Sequence, residues 1–116
     1  MITGIDLQGT SDFTLPDDKE NPTVWKLGVI PSLIFMKLAE EVGTDQVTAA
    51  FKVLQTGLKG WDNFNIPFST VKETFYGREL DVIPLEVVEQ IPINAAMAIS
   101  IEIMNRQSIL EKERKN

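Results

Sequence analysis

Counted from Val47, the residues Ala50, Phe51, Leu54 and Leu58 fall at offsets of three, four, seven and eleven. That repeat is one face of an α-helix, so this stretch has to lay an apolar stripe against a core. Thr44 stands where an N-cap is wanted, Asp45 and Gln46 sit in the first turn, and Gly57 and Gly60 end the run. A second helix is expected just upstream, over Ser32–Val42. Pro31 suits its first turn and Gly43 its stop. Its stripe is Phe35, Leu38, Ala39 and Val42, opposite Lys37, Glu40 and Glu41. Leu33, Ile34 and Met36 widen the apolar arc, for core packing or for a partner's surface.

The last third repeats the helical theme. Pro84 opens a short helix over Leu85–Gln90, and Ile91-Pro92 forces a break. A long helix then runs from Pro92 to Asn105. It carries Ile93, Ala96, Met97 and Met104 on one side, Ala95, Ile99 and Ile103 beside them, and Ala98 and Ile101 further round. A helix apolar on so many sides is either central in the core or shared between subunits. Ser108 is placed to cap a final turn, and the charged end Glu111–Asn116 is expected to be solvated. Strand signals are sparser. Thr23–Ile30 begins with β-favouring Thr-Val-Trp and bends at Gly28, and Arg78–Ile83 reads as a short strand or an extended link. The fold expected is therefore mainly α: a small helical domain, residues 23–116, with one or two short strands, preceded by an extended acidic arm, residues 1–22. The arm is either a flexible tail or a segment that docks on a neighbouring subunit through Phe13 and Leu15.

With 116 residues the chain has room for one domain, and 43% hydrophobic with 24% charged residues supports a packed core. The net charge of −6 repels phosphate backbones and anionic lipid, so neither nucleic acid nor membrane is an expected partner. The chain contains no cysteine and no histidine. That removes disulfide scaffolds, thiolate catalysis and the usual general base, along with serine–histidine and cysteine–histidine nucleophile pairs. The N-terminus lacks a positive start followed by an apolar block, unlike a signal peptide. The greasiest stretch, Ala95–Ile103, is broken by Ser100 and Glu102 and falls short of a bilayer span.

Motifs for chemistry are missing from the sequence. Gly57-Leu-Lys-Gly60 lacks the outer glycine and the Ser/Thr of a phosphate-binding loop, and Asp12, Asp17, Asp18 and Glu20 do not follow calcium-hand spacing. The carboxylate pairs Glu40/Glu41, Glu79/Asp81 and Glu86/Glu89 read as surface charge rather than as a shared acid–base cleft. No catalytic residue, cofactor site or metal site is expected, and the chain is expected not to be an enzyme. Residues 60–77, expected as a loop, hold Trp61, Phe64, Phe68, Phe75 and Tyr76, most of the chain's aromatic residues. Aromatics in a loop either plug the edge of a core or form a recognition surface. If binding is the function, the candidates are Trp61, Phe64 and Phe68, with Phe13 and Trp25 next.

The second half resembles small proteins encoded in the structural-gene clusters of tailed bacteriophages. The resemblance is carried by a helix leading into Leu58-Lys-Gly-Trp61-Asp-Asn63-Phe64, then Ile66-Pro67-Phe68, the acidic link Glu79-Leu-Asp81, the proline-started helix Ile83-Pro-Leu-Glu-Val-Val, and a C-terminal helix ending in Lys115-Asn116. Upstream, Glu20-Asn-Pro-Thr-Val-Trp25 resembles the leading strand of such proteins. The resemblance implies a role in phage particle assembly, in the virion or the host cytoplasm, with other phage structural proteins or further copies of the same chain as partners. It points first to a virion accessory protein, a minor head, decoration or tail component. An assembly chaperone absent from the mature particle, or a small acidic inhibitor of a host protein, are the alternatives.

Overall fold

The computed structural model describes residues 1–113. The solvated end expected at residues 114–116 lies outside the described residues. In chain order the elements are β1 (Ser11–Phe13), β2 (Val24–Leu27), α1 (Ser32–Val42), α2 (Gln46–Gly57), β3 (Leu58–Asp62), β4 (Val71–Phe75), β5 (Arg78–Val82), α3 (Leu85–Val88) and α4 (Ile93–Glu113). Strands β1, β2 and β3 form an antiparallel sheet in that order, and β4 and β5 form a separate antiparallel hairpin.

The mainly helical expectation is thereby corrected: the domain is α+β, with five strands in two sheets beside four helices among the described residues. β2 and β5 fall within the expected extended stretches Thr23–Ile30 and Arg78–Ile83, whereas β1, β3 and β4 lie outside them. β3 takes in the expected end of the helix at Leu58 and the start of the expected 60–77 loop: Gly57 and Gly60 flank Leu58-Lys59 and hide any alternation, yet Trp61 pairs with Trp25 and Val24 with Asp62. The hairpin spaces its inward residues at period two, Glu73 and Phe75 on β4 and Leu80 and Val82 on β5, but charged side chains dilute the pattern. Its turn is Tyr76-Gly77, both at positive φ (51° and 81°), the geometry that matches strand twist in two-residue hairpins. Residues 11–13, expected within an arm, form β1 on the edge of the sheet, with Phe13 opposite Trp25.

The helices lie nearer to expectation. α1 spans Ser32–Val42, and α4 continues without interruption through Ser108 to Glu113. At the start of α2 the cap is Asp45 rather than Thr44; its carboxylate accepts the Thr48 N–H at 3.1 Å. α2 is the hub, packing on α1, α4, α3, β3 and β5. The core around it includes Ile30, Ile34, Leu38, Leu54, Leu58, Ile83, Ile99 and Ile103, all fully buried. At its last turn α2 approaches α4 so closely that a Cβ on Gly57 would come within 2.7 Å of Ile103 Cγ2. Glycine is required there by the approach of the two helices.

A buried amide ties α4 to the link between β2 and α1. Ile30 lies beyond the end of β2 and its backbone has no strand neighbour. The Gln107 side chain takes that place: its Oε1 accepts the Ile30 N–H at 2.8 Å and its Nε2 donates to the Ile30 carbonyl at 2.7 Å. Nε2 also donates to Glu111, which in turn accepts from Ser32 Oγ. Glu111 is thus half-buried against the start of α1 rather than simply solvated.

Candidate functional site

The residues singled out as recognition candidates come together at one place. The strand register aligns Phe13, Trp25 and Trp61 across β1, β2 and β3. The chain leaving β3 then folds Phe64 and Phe68 onto Trp61. Ring centroids lie 5.9 Å apart for Trp25–Trp61, 5.1 Å for Trp25–Phe64, 5.2 Å for Trp61–Phe64 and 5.1 Å for Trp61–Phe68, and three of the four pairs are edge-to-face. The loop that carries Phe64 and Phe68 is held locally. Trp61 Nε1 donates to the Ile66 carbonyl at 2.7 Å, Thr23 Oγ1 donates to the Asn63 carbonyl at 2.8 Å, and the Asn63 side chain donates to the Asn21 carbonyl.

Burial grades these rings from inside to outside. Trp25 is buried, Phe13, Trp61 and Phe64 are half-buried against the core, and Phe68 is exposed. Phe13 lies under the Arg106 guanidinium, 5.4 Å from the ring centroid, and Arg106 also donates to Ser11 Oγ and the Asp12 carbonyl. This cluster therefore closes one end of the sheet, and what it offers outward is Phe68 and the part of Trp61 that is not buried. The Trp25 indole N–H is the one buried side-chain polar atom without a hydrogen-bond partner among the described residues.

A second feature was only half visible in the sequence. α1 and α4 both pack on α2 and leave an open groove of about 290 Å³ between them. Ala50 and Val53 of α2 form its floor, Ala39 and Val42 of α1 one wall, and Met97, Ile101 and Met104 of α4 the other. Ile101 and Val42 stand at its mouth with about half and a third of their surface exposed (51% and 38%). Further apolar side chains are exposed on the same two helices, Leu33 and Met36 on α1 and Ile93 and Ile109 on α4. The breadth of the apolar arcs on these helices signalled such a surface. Which part of each arc would stay open was not encoded in either helix alone.

The hairpin tip is clamped at the α1–α2 corner. Tyr76 donates its phenol to Glu41, and Lys52 Nζ donates to the same carboxylate at 2.8 Å while lying 5.6 Å from the Tyr76 ring centroid. The hydrogen bond from Lys52, then that from Tyr76, holds the Glu41 carboxyl below the ordinary carboxylate range. Partial desolvation, then the hydrogen bond to Glu41 and its charge, push the Tyr76 phenol up to about 12. A phenol whose pKa is raised in the folded state contributes stability below its unfolded value of 10.0 and loses it as pH rises towards 12. Urea midpoints of the wild type and Tyr76→Phe should therefore differ by a constant amount up to pH 9 and converge between pH 10 and 12. A gap that stays open at pH 12 would refute the clamp.

Among the described residues no three or more Asp and Glu side chains gather as a group that could hold a metal ion, and no helix is long and apolar enough to cross a membrane. No protein-family model, curated protein or solved structure matches this chain. Fold and surface together define a small α+β domain whose apolar groove and capped aromatic cluster are its distinctive features.

Proposed function

We propose that this chain is a non-enzymatic bacteriophage virion accessory protein, a minor head, decoration or tail component that works through contacts with other phage structural proteins or with further copies of itself. The observation that supports this reading is the open groove between α1 and α4, floored by α2 and lined by Ala39, Val42, Ala50, Met97 and Ile101. Exposed contiguous apolar surface on a small domain is a mark of protein–protein contact. Its two methionines suit a surface that adapts to the shape of a partner. The phage context rests on the resemblance carried by Gly60-Trp-Asp-Asn-Phe64 and Pro67-Phe68.

The test is quantitative mass spectrometry of purified particles of the phage that encodes the chain, with copy number measured against the major capsid protein. Stoichiometric presence is the expected result, and the copy number separates a shell component from a connector or tail part. Absence from the particle, with the protein abundant in infected cells, would overturn the virion role in favour of an assembly chaperone or a small acidic inhibitor of a host protein.

A further inference from the structure

A second cavity lies where the hairpin meets the three-stranded sheet. It measures about 400 Å³, a size typical of small-molecule sites, and is lined by β5, the start of β3, the β2–α1 link and residues 7–10. Its lining is mixed. Leu58, Phe68, Leu80 and Ile83 supply apolar surface, and Lys59 and Arg78 bring positive charge. Among the described residues Lys26, Lys52, Lys72 and Arg106 all stand in ion pairs, whereas Lys59 and Arg78 stand in none. The one carboxylate in the lining belongs to Asp81, and Lys72 already holds it at 3.0 Å.

Lys59 is set in place rather than loose. Its stem crosses Gly28, where a Cβ would run into Lys59 Cγ and Cε. Its ammonium donates to the Thr56 carbonyl at 2.8 Å, near the C-terminus of α2. That bond uses one of three hydrogens and meets only a partial charge. Lys59 is exposed along the cavity, yet desolvation by the surrounding protein lowers its pKa, against the pull of Asp81. A held, partly desolvated cation without a counter-ion is relieved by an anion. An arginine in the same lining suits a carboxylate or a phosphate, which the guanidinium fork grips with two parallel bonds. The net charge of −6 opposes such a ligand only weakly, because exposed charges further off than about 8 Å are screened at physiological salt.

We infer that the cavity between the hairpin and the three-stranded sheet binds a small organic anion, with its carboxylate or phosphate head on Lys59 and Arg78 and its apolar body against Leu58, Leu80 and Ile83. The site is separate from the α1–α4 groove and goes beyond the protein-binding reading, so either can fail without the other.

The experiment uses the full chain, ¹⁵N-labelled, with hexanoate, hexyl phosphate, hexanol and inorganic phosphate as probes. Hexanoate and hexyl phosphate should move the amide resonances of Lys59, Leu80 and Ile83, with dissociation constants on the order of 1 mM for ligands this small. The tighter of the two identifies the head group. Hexanol, of equal length but neutral, should bind about tenfold more weakly, the scale of one charge-assisted hydrogen bond. Inorganic phosphate should bind more weakly than hexyl phosphate, for want of an apolar body. Arg78→Gln removes a guanidinium that makes no ion pair among the described residues. It should weaken hexanoate and hexyl phosphate about tenfold and leave hexanol unchanged. Lys59→Gln should do the same, and if loss of the bond to Thr56 unsettles that variant, Arg78→Gln carries the test. Equal binding of hexanoate and hexanol, or hexanoate binding that Arg78→Gln leaves unchanged, would overturn the anion site. So would shifts confined to the α1–α4 groove, or none at ten times the expected dissociation constant. Inorganic phosphate binding as tightly as hexyl phosphate would overturn the apolar body and leave an inorganic anion as the ligand.

Discussion

Gln107→Leu should destabilise the protein by about 3 kcal/mol and lower its melting temperature by on the order of 10 °C. The substitution keeps nearly the same volume, so the effect isolates the hydrogen bonds. In the wild type the amide satisfies both the N–H and the C=O of Ile30, a residue with no exposed surface that no strand neighbour can reach. Leucine leaves both groups buried without partners, at about 1–3 kcal/mol each. Against a total stability of about 5–15 kcal/mol for a domain of this kind, that is a large fraction. Chemical denaturation of the two proteins at pH 7 measures it. A loss below about 1 kcal/mol would mean that water reaches Ile30 and that the amide is not the tie between α4 and the β2–α1 link.

The second large effect is at the aromatic cluster, and it is a contrast rather than a single value. Trp25→Ala should cost about 4 kcal/mol, because the ring is buried and packs on Trp61 and Phe64. Trp61→Ala should cost about 2 kcal/mol: its ring is half-buried, but it holds Phe64, Phe68 and the Ile66 carbonyl. Phe68→Ala should stay within about 1 kcal/mol, since that ring is exposed and packs edge-to-face with Trp61 alone among the aromatic rings. Trp25→Phe should be mild for a separate reason. The indole N–H has no partner to lose, so only volume changes. Melting curves of the four variants give the order directly. Trp61→Ala melting like wild type would mean that the ring contributes nothing to the fold and is free for recognition alone.

How much of this was readable beforehand varies with the range of the interaction. The helices α1 and α2 follow from local signals: the proline before Ser32, the glycine after Val42, and the spacing of Val47, Ala50, Phe51 and Leu54. The length of α4 was not readable. Ser108 looked like a new cap, but Gln107 and Glu111 are held by Ile30 and Ser32, some 77 to 79 positions away in sequence, and those bonds carry the helix through. The aromatic residues were visible as a group of types. Their convergence was not, because Phe13, Trp25 and Trp61 align only when three strands from distant parts of the chain take one register.

Local sequence set the positions of the helical faces, the breaks at Pro31, Gly43 and Pro92, and the lack of any histidine- or cysteine-based chemistry. Those properties depend on residues within a turn or two of one another, or on composition alone. Long-range packing makes the chain α+β, brings residues 11–13 into a sheet, and divides the apolar arc of α4 between core and groove. In each case the deciding partner is remote in sequence. A strand with glycine and charge in it becomes a strand only when a neighbour takes up its backbone hydrogen bonds, and a helix face becomes a groove only when the next helix stops short of covering it.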